Sequence, residues 1–268
     1  MDYEVTEPQR IGLSETETSR ASRTYWDSAA GEYLAEHGEF LGDDRFVWCP
    51  EGVDEEQAQL LGPVTGRRVL EVGSGAAQCS RWLAKQRADV YAFDISVEQL
   101  RIAKDLDRRT GTAVRTVAAD AVRIPFASGV FDIVCSAFGA LPFVADAEDA
   151  LREIARVLKP GGLLVYSVTH PIRWSMPDDP TPAGLRITQS YFDRTPYVET
   201  DAAGTPVYAE HHRTTGDWIR ALTGAGLVVD DLLEPEWPAG HDQVWGGWGP
   251  ERGRLIPGTA IWSAHKPA

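Results

Sequence analysis

From Gly66 onward, short apolar or β-branched runs alternate with helix-patterned segments, and this alternation leaves few architectures open. RRVLEVG precedes QCSRWLAKQ, DVYAFDI precedes SVEQLRIAKDLDRR, AVRTVAAD follows, and VFDIVCSAF precedes DAEDALREIARVLK and GGLLVYSVT. A helix between two strands returns the chain to the same sheet end, so the strands pair in parallel and both faces are covered. Ser96 with Gln99 three residues on forms a capping box, which starts a helix directly after the strand ending at Asp94. Lys159-Pro160-Gly161-Gly162 ends a helix over 147–158 and turns the chain into the next strand.

Outside this alternation the pattern is looser. Residues 1–20 are acidic and polar and read as a mobile tail. Residues 21–61 carry helical patterns broken by GDDRFVWCPEG, which predicts an N-terminal helical cap. The main domain then spans 62–268, with lid-like insertions at about 171–213 and 235–257. The first is rich in proline, threonine and aromatics and reads as irregular; the second is a Gly/Trp/Pro loop. Between them Thr214 and Asp217 open a helix that Gly224 and Gly226 close, and GTAIWSAHK is the last strand. There is no internal repeat.

The net charge of −14 disfavours nucleic acid and anionic membrane surfaces as partners. Cys49, Cys79 and Cys135 are far apart and odd in number, which suits neither a disulfide framework nor a zinc site and fits a reducing compartment. The N-terminus has no signal-peptide core, and the most apolar stretch, Val130 to Ala145, contains Asp132 and Pro142 and is too short to span a bilayer. A soluble, cytoplasmic protein is expected.

VLEVGSGAAQCSRWL, from Val69 to Leu83, is the most informative segment. A chain leaving a parallel strand for a helix exposes free N–H groups to a ligand, and Gly73 and Gly75 permit close backbone approach. Asp94 ends the second strand, where a carboxylate can accept both ribose hydroxyls, and Asp120 ends the third. With Glu71 they form a row of acids along the carboxyl edge of the sheet, where open α/β sheets bind ligands. A dinucleotide fingerprint requires a small residue where Gln78 stands, and Glu71 would face a pyrophosphate unfavourably. It suits a ligand carrying an ammonium and a sulfonium.

At this point the sequence resembles the class I S-adenosylmethionine-dependent methyltransferases of the small-molecule subgroup. VLEVGSGAA is similar to their first motif, AFDIS to their second-strand acid, and AADAVRIPFASGVFDIVCSAF to their adenine-contacting and fourth-strand region. ALREIARVLKPGGLLVYSV and HHRTTGDWIRALTGAGLVVDDLLEP resemble their later elements, and one departure is Ala77 in place of a third glycine, tolerable with negative φ. The resemblance implies a Rossmann-like, open, mostly parallel seven-stranded sheet with helices on both faces and an antiparallel last strand.

It also implies site residues. Gly73, Gly75 and Ala77 would approach the methionine part of the cofactor, with Glu71 acting at the loop. Asp94 would hold the ribose, Ile95 would pack on the adenine, and Asp120 and Ala121 would contact its polar edge. Ser136 would lie near the amino group or sulfonium, and Tyr25 and Tyr33 in YWDSAAGEY would reach the carboxylate or else pack a helix face. Methyl transfer needs alignment, desolvation and sometimes a base. His170, after the fifth strand, and His212, before the late helix, are candidate bases; structural hydrogen bonding is the alternative for each. Trp174, Trp237, Trp245 and Trp248 could line a planar or apolar acceptor pocket or simply pack the loops. Trp82 and Trp218 read as core.

The reading is methyl transfer from S-adenosylmethionine to O, N or C of a small molecule, leaving S-adenosylhomocysteine, without a metal. A nicotinamide-dependent oxidoreductase and a non-catalytic cofactor-binding protein stand as alternatives. Acceptor identity and oligomeric state are not encoded in any recognisable motif.

Overall fold

The computed structural model describes residues 8–268, and the first seven residues lie outside it. Within β2 (Arg68–Val72) the side chains alternate between two apolar layers. Leu70 and Val72 join one core with Phe93, Leu151 and Trp218, while Val69 joins the other with Phe46, Trp48 and Leu83. Period-2 alternation between two buried faces is what a central parallel strand requires.

The chain runs β2, α3 (Gln78–Lys85), β3 (Asp89–Asp94), α4 (Val97–Thr110), β4 (Arg115–Ala118), β5 (Phe131–Ala137), α5 (Ala147–Val157) and β6 (Leu158–Thr169). After the first insertion come α6 (Thr215–Gly224) and β9 (Val228–Leu233), then α7 (Pro250–Gly253) and β10 (Thr259–His265). The sheet order is β4-β3-β2-β5-β6-β10-β9. Only β10 is antiparallel to its neighbours, as expected for the last strand. The Thr214/Asp217 box forms, but at Ser96 only half of the expected box does: Ser96 Oγ accepts from Gln99 N, while Ser96 N donates to Asp94 and not to the Gln99 side chain. Helix α5 stops at Val157, and the Lys159–Gly162 turn already belongs to β6, opposite a register shift in β5.

Two expectations fail. Residues 8–20 are not a tail, because β1 (Gln9–Arg10) pairs with β7 (Tyr197–Thr200) and α1 (Glu15–Leu41) begins at a Ser14/Glu17 capping box. The first insertion is not wholly irregular either. β7 and β8 (Pro206–Glu210) form an antiparallel hairpin whose turn is tied by Asp201, which accepts from Ala203 N and Thr205 N. With β1 they make a three-stranded sheet packed on Ala21 of α1.

Helix α1 crosses the carboxyl end of the main sheet and packs on α4 and β8. It buries only Thr18, Ala21, Ser22, Ala30 and His37. Polar contacts hold much of it. Asp27 Oδ1 accepts from Ser96 Oγ at 2.7 Å and Glu98 N at 3.1 Å, capping α4. Glu15 accepts from the Ala145 and Asp146 amides, and Ser22 donates to the Phe143 carbonyl. The turn-rich piece after α1 leads into the one-turn α2 (Glu55–Ala58) and closes beside the cavity described next.

Candidate functional site

A cleft opens at the carboxyl ends of β2, β3, β4 and β5, beneath α1. Its floor is the turn after β2. Gly73 has φ +66°, and a Cβ there would lie 2.5 Å from Ala140 N and 2.9 Å from Gly139 Cα. The loop after β5 therefore requires glycine at 73. Gly75 (φ +51°) would bring a Cβ only into ordinary contact with Gln99 Oε1 at 3.7 Å, so among the protein's own atoms it is the positive φ that calls for glycine. Ala77 also adopts positive φ, +59°, contrary to the negative φ expected for it, and is fully buried at the start of α3. A left-handed alanine stores about 1 kcal/mol of strain. It is not among the residues lining the cleft.

Three carboxylates line the cleft, and each is already held by the protein. Asp94 accepts from Gly75 N at 2.7 Å on one oxygen and from Ser96 N at 2.8 Å on the other, which clips the turn to the end of β3. Burial raises its pKa, and these amides oppose the rise. Glu71 accepts a short hydrogen bond from Ser80 Oγ, and burial lifts its carboxyl to about 7. Asp120 lies just beyond β4 and accepts from Ser19 Oγ of α1 at 2.6 Å and from Val122 N at 3.2 Å. Ile95 and Ala121 line the same side, and Ser74 Oγ is buried there without a partner. The cation on the wall is Arg45, and it is bound to Asp54 and the Phe40 carbonyl. Anionic walls with spare carboxylate lone pairs fit a ligand that brings hydroxyls and positive charge.

Aromatic rings also line the cleft, among them Tyr33, Trp26, Phe143 and Trp245. Their rings touch in series, Phe143 to Trp26 at 5.5 Å, Trp26 to Tyr33 at 5.5 Å and Tyr33 to Trp245 at 5.9 Å. Tyr25 is not on the wall; its ring packs on Tyr208 at 4.6 Å. Trp26 and Tyr33 are seven residues apart, two helical turns, whereas Tyr25 is one position off that face. That spacing was the signal available for Trp26, which sequence reasoning passed over. Ser19 and Phe143 carried no comparable signal, because their places depend on how α1 lies across the sheet.

The remaining expected site residues sit elsewhere. Ser136 is buried behind the turn, donating to the carbonyls of Val72 (2.7 Å) and Gly139 (3.2 Å), so its hydroxyl is spent on the scaffold. His170 accepts from Ile172 N at its Nδ1 and meets Glu234 at 2.8 Å through Nε2, which engages both nitrogens. His212 donates through Nε2 to the Tyr191 carbonyl at 2.7 Å, and its Nδ1 is buried without a partner. Burial lowers the pKa of both histidines. Neither lines the cleft, so the structure does not place a candidate base from these positions beside it. Of the four insertion tryptophans, Trp245 reaches the cleft, while Trp174, Trp237 and Trp248 are buried outside it. Trp218 is core, and Trp82 packs partly buried against the second layer.

This strand order, ending in an antiparallel insertion, and an acidic cleft at the strand ends define the class I methyltransferase architecture. A family model described as a methyltransferase domain matches residues 70–166. The demethylmenaquinone methyltransferase of Mycolicibacterium paratuberculosis is 34% identical over 231 residues, 85% of this chain and 85% of that one. The ubiquinone/menaquinone biosynthesis C-methyltransferase UbiE of Azotobacter vinelandii is 42% identical over 166 residues, 59% of this chain and 63% of its own length. The chain spans between about half and two thirds of the length of several UbiE relatives that it matches. A solved S-adenosylmethionine-dependent methyltransferase from Mesorhizobium loti is 27% identical, with a TM-score of 0.63 over 81% of this chain and 100% of that one. The chain belongs to the class I S-adenosylmethionine-dependent methyltransferase family. Its cofactor is accordingly S-adenosylmethionine, and the nicotinamide alternative falls away. No helix among the described residues is long and apolar enough to cross a membrane.

Proposed function

We propose that this protein transfers the methyl group of S-adenosylmethionine to O, N or C of a small molecule with a planar or apolar body. The observation that carries the reading is the cleft's mixed lining, which joins the carboxylates of Glu71, Asp94 and Asp120 to the aromatic rings of Trp26, Tyr33, Phe143 and Trp245. When bound, the cofactor supplies an electrophilic methyl on a sulfonium with a neutral thioether leaving group. The chain contributes binding and alignment. Asp94 has a second lone pair on each oxygen for ribose hydroxyls, Ile95 offers an apolar face to a base, and Asp120 and Ala121 stand at its polar edge. Glu71, Gly73 and Gly75 frame the end where positive charge would sit. Ionised Glu71 and Asp94 favour a cationic ligand, and the aromatic wall excludes water from the acceptor side.

The demethylmenaquinone and UbiE relatives act, by their names, on quinone precursors, which agrees with a flat, greasy acceptor. Calorimetric titration of S-adenosylhomocysteine, S-adenosylmethionine and NAD⁺ tests the cofactor half. Micromolar binding of the first two and none of the third is expected. A screen of planar phenols and enols with methyl-labelled cofactor tests the rest. Cofactor binding with no labelled product from any small molecule would leave a binding protein in place of an enzyme.

A further inference from the structure

Arg252 is fully buried, yet no carboxylate lies within its hydrogen-bonding reach. Its Nη2 donates to the carbonyls of Pro177 (2.7 Å), Asp179 (2.8 Å) and Gly184 (3.1 Å), all in the first insertion. Its guanidinium lies 4.9 Å from the ring centre of Trp248 in the second insertion, while Nε and Nη1 have no partner. The neighbouring Asp178 pairs with Arg173 instead. A buried guanidinium held by carbonyls and one indole face is costly unless it fixes something.

The surroundings are built to admit it. A Cβ on Gly184 would come within 1.9 Å of the Asp179 carbonyl and 2.5 Å of Arg252 Nη2, and one on Gly247 within 2.5 Å of Asp178 Oδ1 and 2.9 Å of Arg252 Nη1, so both glycines leave room for the guanidinium and the segment it binds. Trp248 is in turn paired with Trp245 across Gly246-Gly247 by two backbone bonds, Trp245 N to Trp248 O at 2.9 Å and the reverse at 3.0 Å. Trp245 then stacks on His37 of α1 at 3.7 Å and 11° and presents itself to the cleft. A continuous chain of contacts thus runs from the first insertion through Arg252 and the Trp-Gly-Gly-Trp turn to the aromatic wall.

We propose that Trp245 sets the width of the acceptor chamber and that Arg252 is the positioning residue that holds it there. This rests on the methyltransferase reading above. Trp245 joins the wall from the second insertion, whereas Trp26 and Tyr33 belong to α1, which bonds Asp120 through Ser19, and Phe143 follows the loop that abuts Gly73, so Trp245 is the member with no direct tie to the acidic residues. The acceptor class that follows is a planar ring system whose number of fused rings is limited by the indole.

The test is calorimetric. S-adenosylhomocysteine is titrated first, and phenol, 2-naphthol and 2-anthrol are then titrated into that complex, with wild type, W245A, W245F, R252Q and R252K. W245A is expected to shift the affinity ratio of three-ring over one-ring probe by about tenfold, the scale of adding or removing a pocket-filling group. Its affinity for S-adenosylhomocysteine stays within about threefold. W245F gives an intermediate ratio and serves in place of W245A should the latter not fold. R252Q moves the ratio in the same direction as W245A. R252K restores it toward wild type, because an ammonium brings three donors to the same three carbonyls. An unchanged ratio in the Trp245 variants, or no ring binding by the wild type, overturns the proposal while leaving the cofactor reading intact. An unchanged ratio in R252Q removes Arg252 from it. Failure of the wild type to bind S-adenosylhomocysteine would instead overturn the methyltransferase reading itself.

Discussion

The two walls of the cleft are made in opposite ways. The acidic wall comes from the ends of β2 and β3 and the loop after β4, and its carboxylates are clamped by backbone amides and serines close by. The aromatic wall is assembled from α1, the loop after β5 and the second insertion, segments separated by over a hundred residues each. The first is built on the sheet, with one tie to the helix laid over it, from Ser19 to Asp120. The second exists only once three distant pieces are docked, and it can be redrawn without altering the sheet. A fold that separates its walls in this way keeps one cofactor while changing acceptors.

The largest expected effect strikes the acidic wall. Asp94→Ala removes the proposed ribose acceptor and also frees the Gly75 and Ser96 amides, so S-adenosylhomocysteine affinity should fall about a hundredfold or more by calorimetry. Retained affinity would mean that the wall is scaffold only. Glu71→Gln is expected to cost about tenfold and to change the pH response. Because burial lifts Glu71 from 4.5 to about 7, the folded chain holds a proton in that interval which the unfolded chain has lost. Its contribution to stability is complete below the lower value and gone once pH passes the upper one. A ligand bearing an ammonium favours the ionised form, so its affinity should strengthen as pH rises through neutrality, with proton release. Titrations in buffers of different ionisation enthalpy measure that release, and it should vanish in the Gln variant.

Smaller effects sharpen the contrast from the side of α1 and the turn. Asp27→Ala uncaps α4 and unlatches α1 together, at a cost of about 1 kcal/mol, read as a melting point lowered by about 2–4 °C. S-adenosylhomocysteine should restore much of that loss, because a ligand that binds only the folded chain stabilises it. Smallest of all, Ala77→Gly relieves a left-handed backbone and should raise the melting point by about 1–3 °C with cofactor affinity unchanged. A lowered melting point would show that the buried methyl outweighs the strain.

What could be read in advance follows the same division. Strands, helices and the acid row were legible because each depends on local pattern, such as alternation in β2, the Ser96 cap and the small residues around Gly73. The reason for Gly73 was not legible, since it lies in a contact with Gly139 sixty-six positions away. The β7–β8 hairpin was hidden by its prolines and threonines, although PYVET and PVYAE alternate and Asp201 marks the turn. The start of α1 was announced by Ser14 and Glu17 but masked by the acidity around it. The histidines were chosen for their chain position beside strand and helix ends, and position alone could not say that Glu234 and the Tyr191 carbonyl engage their rings.

Helix α1 has one more consequence, which concerns how the cleft opens. Ser19 touches Asp120 on the acidic side, and Trp26 and Tyr33 form much of the aromatic side, all on one continuous rod of 27 residues. A rod that walls two chambers cannot vacate one and stay seated over the other. A displacement of α1 as one body would therefore open the acidic and the aromatic sides together.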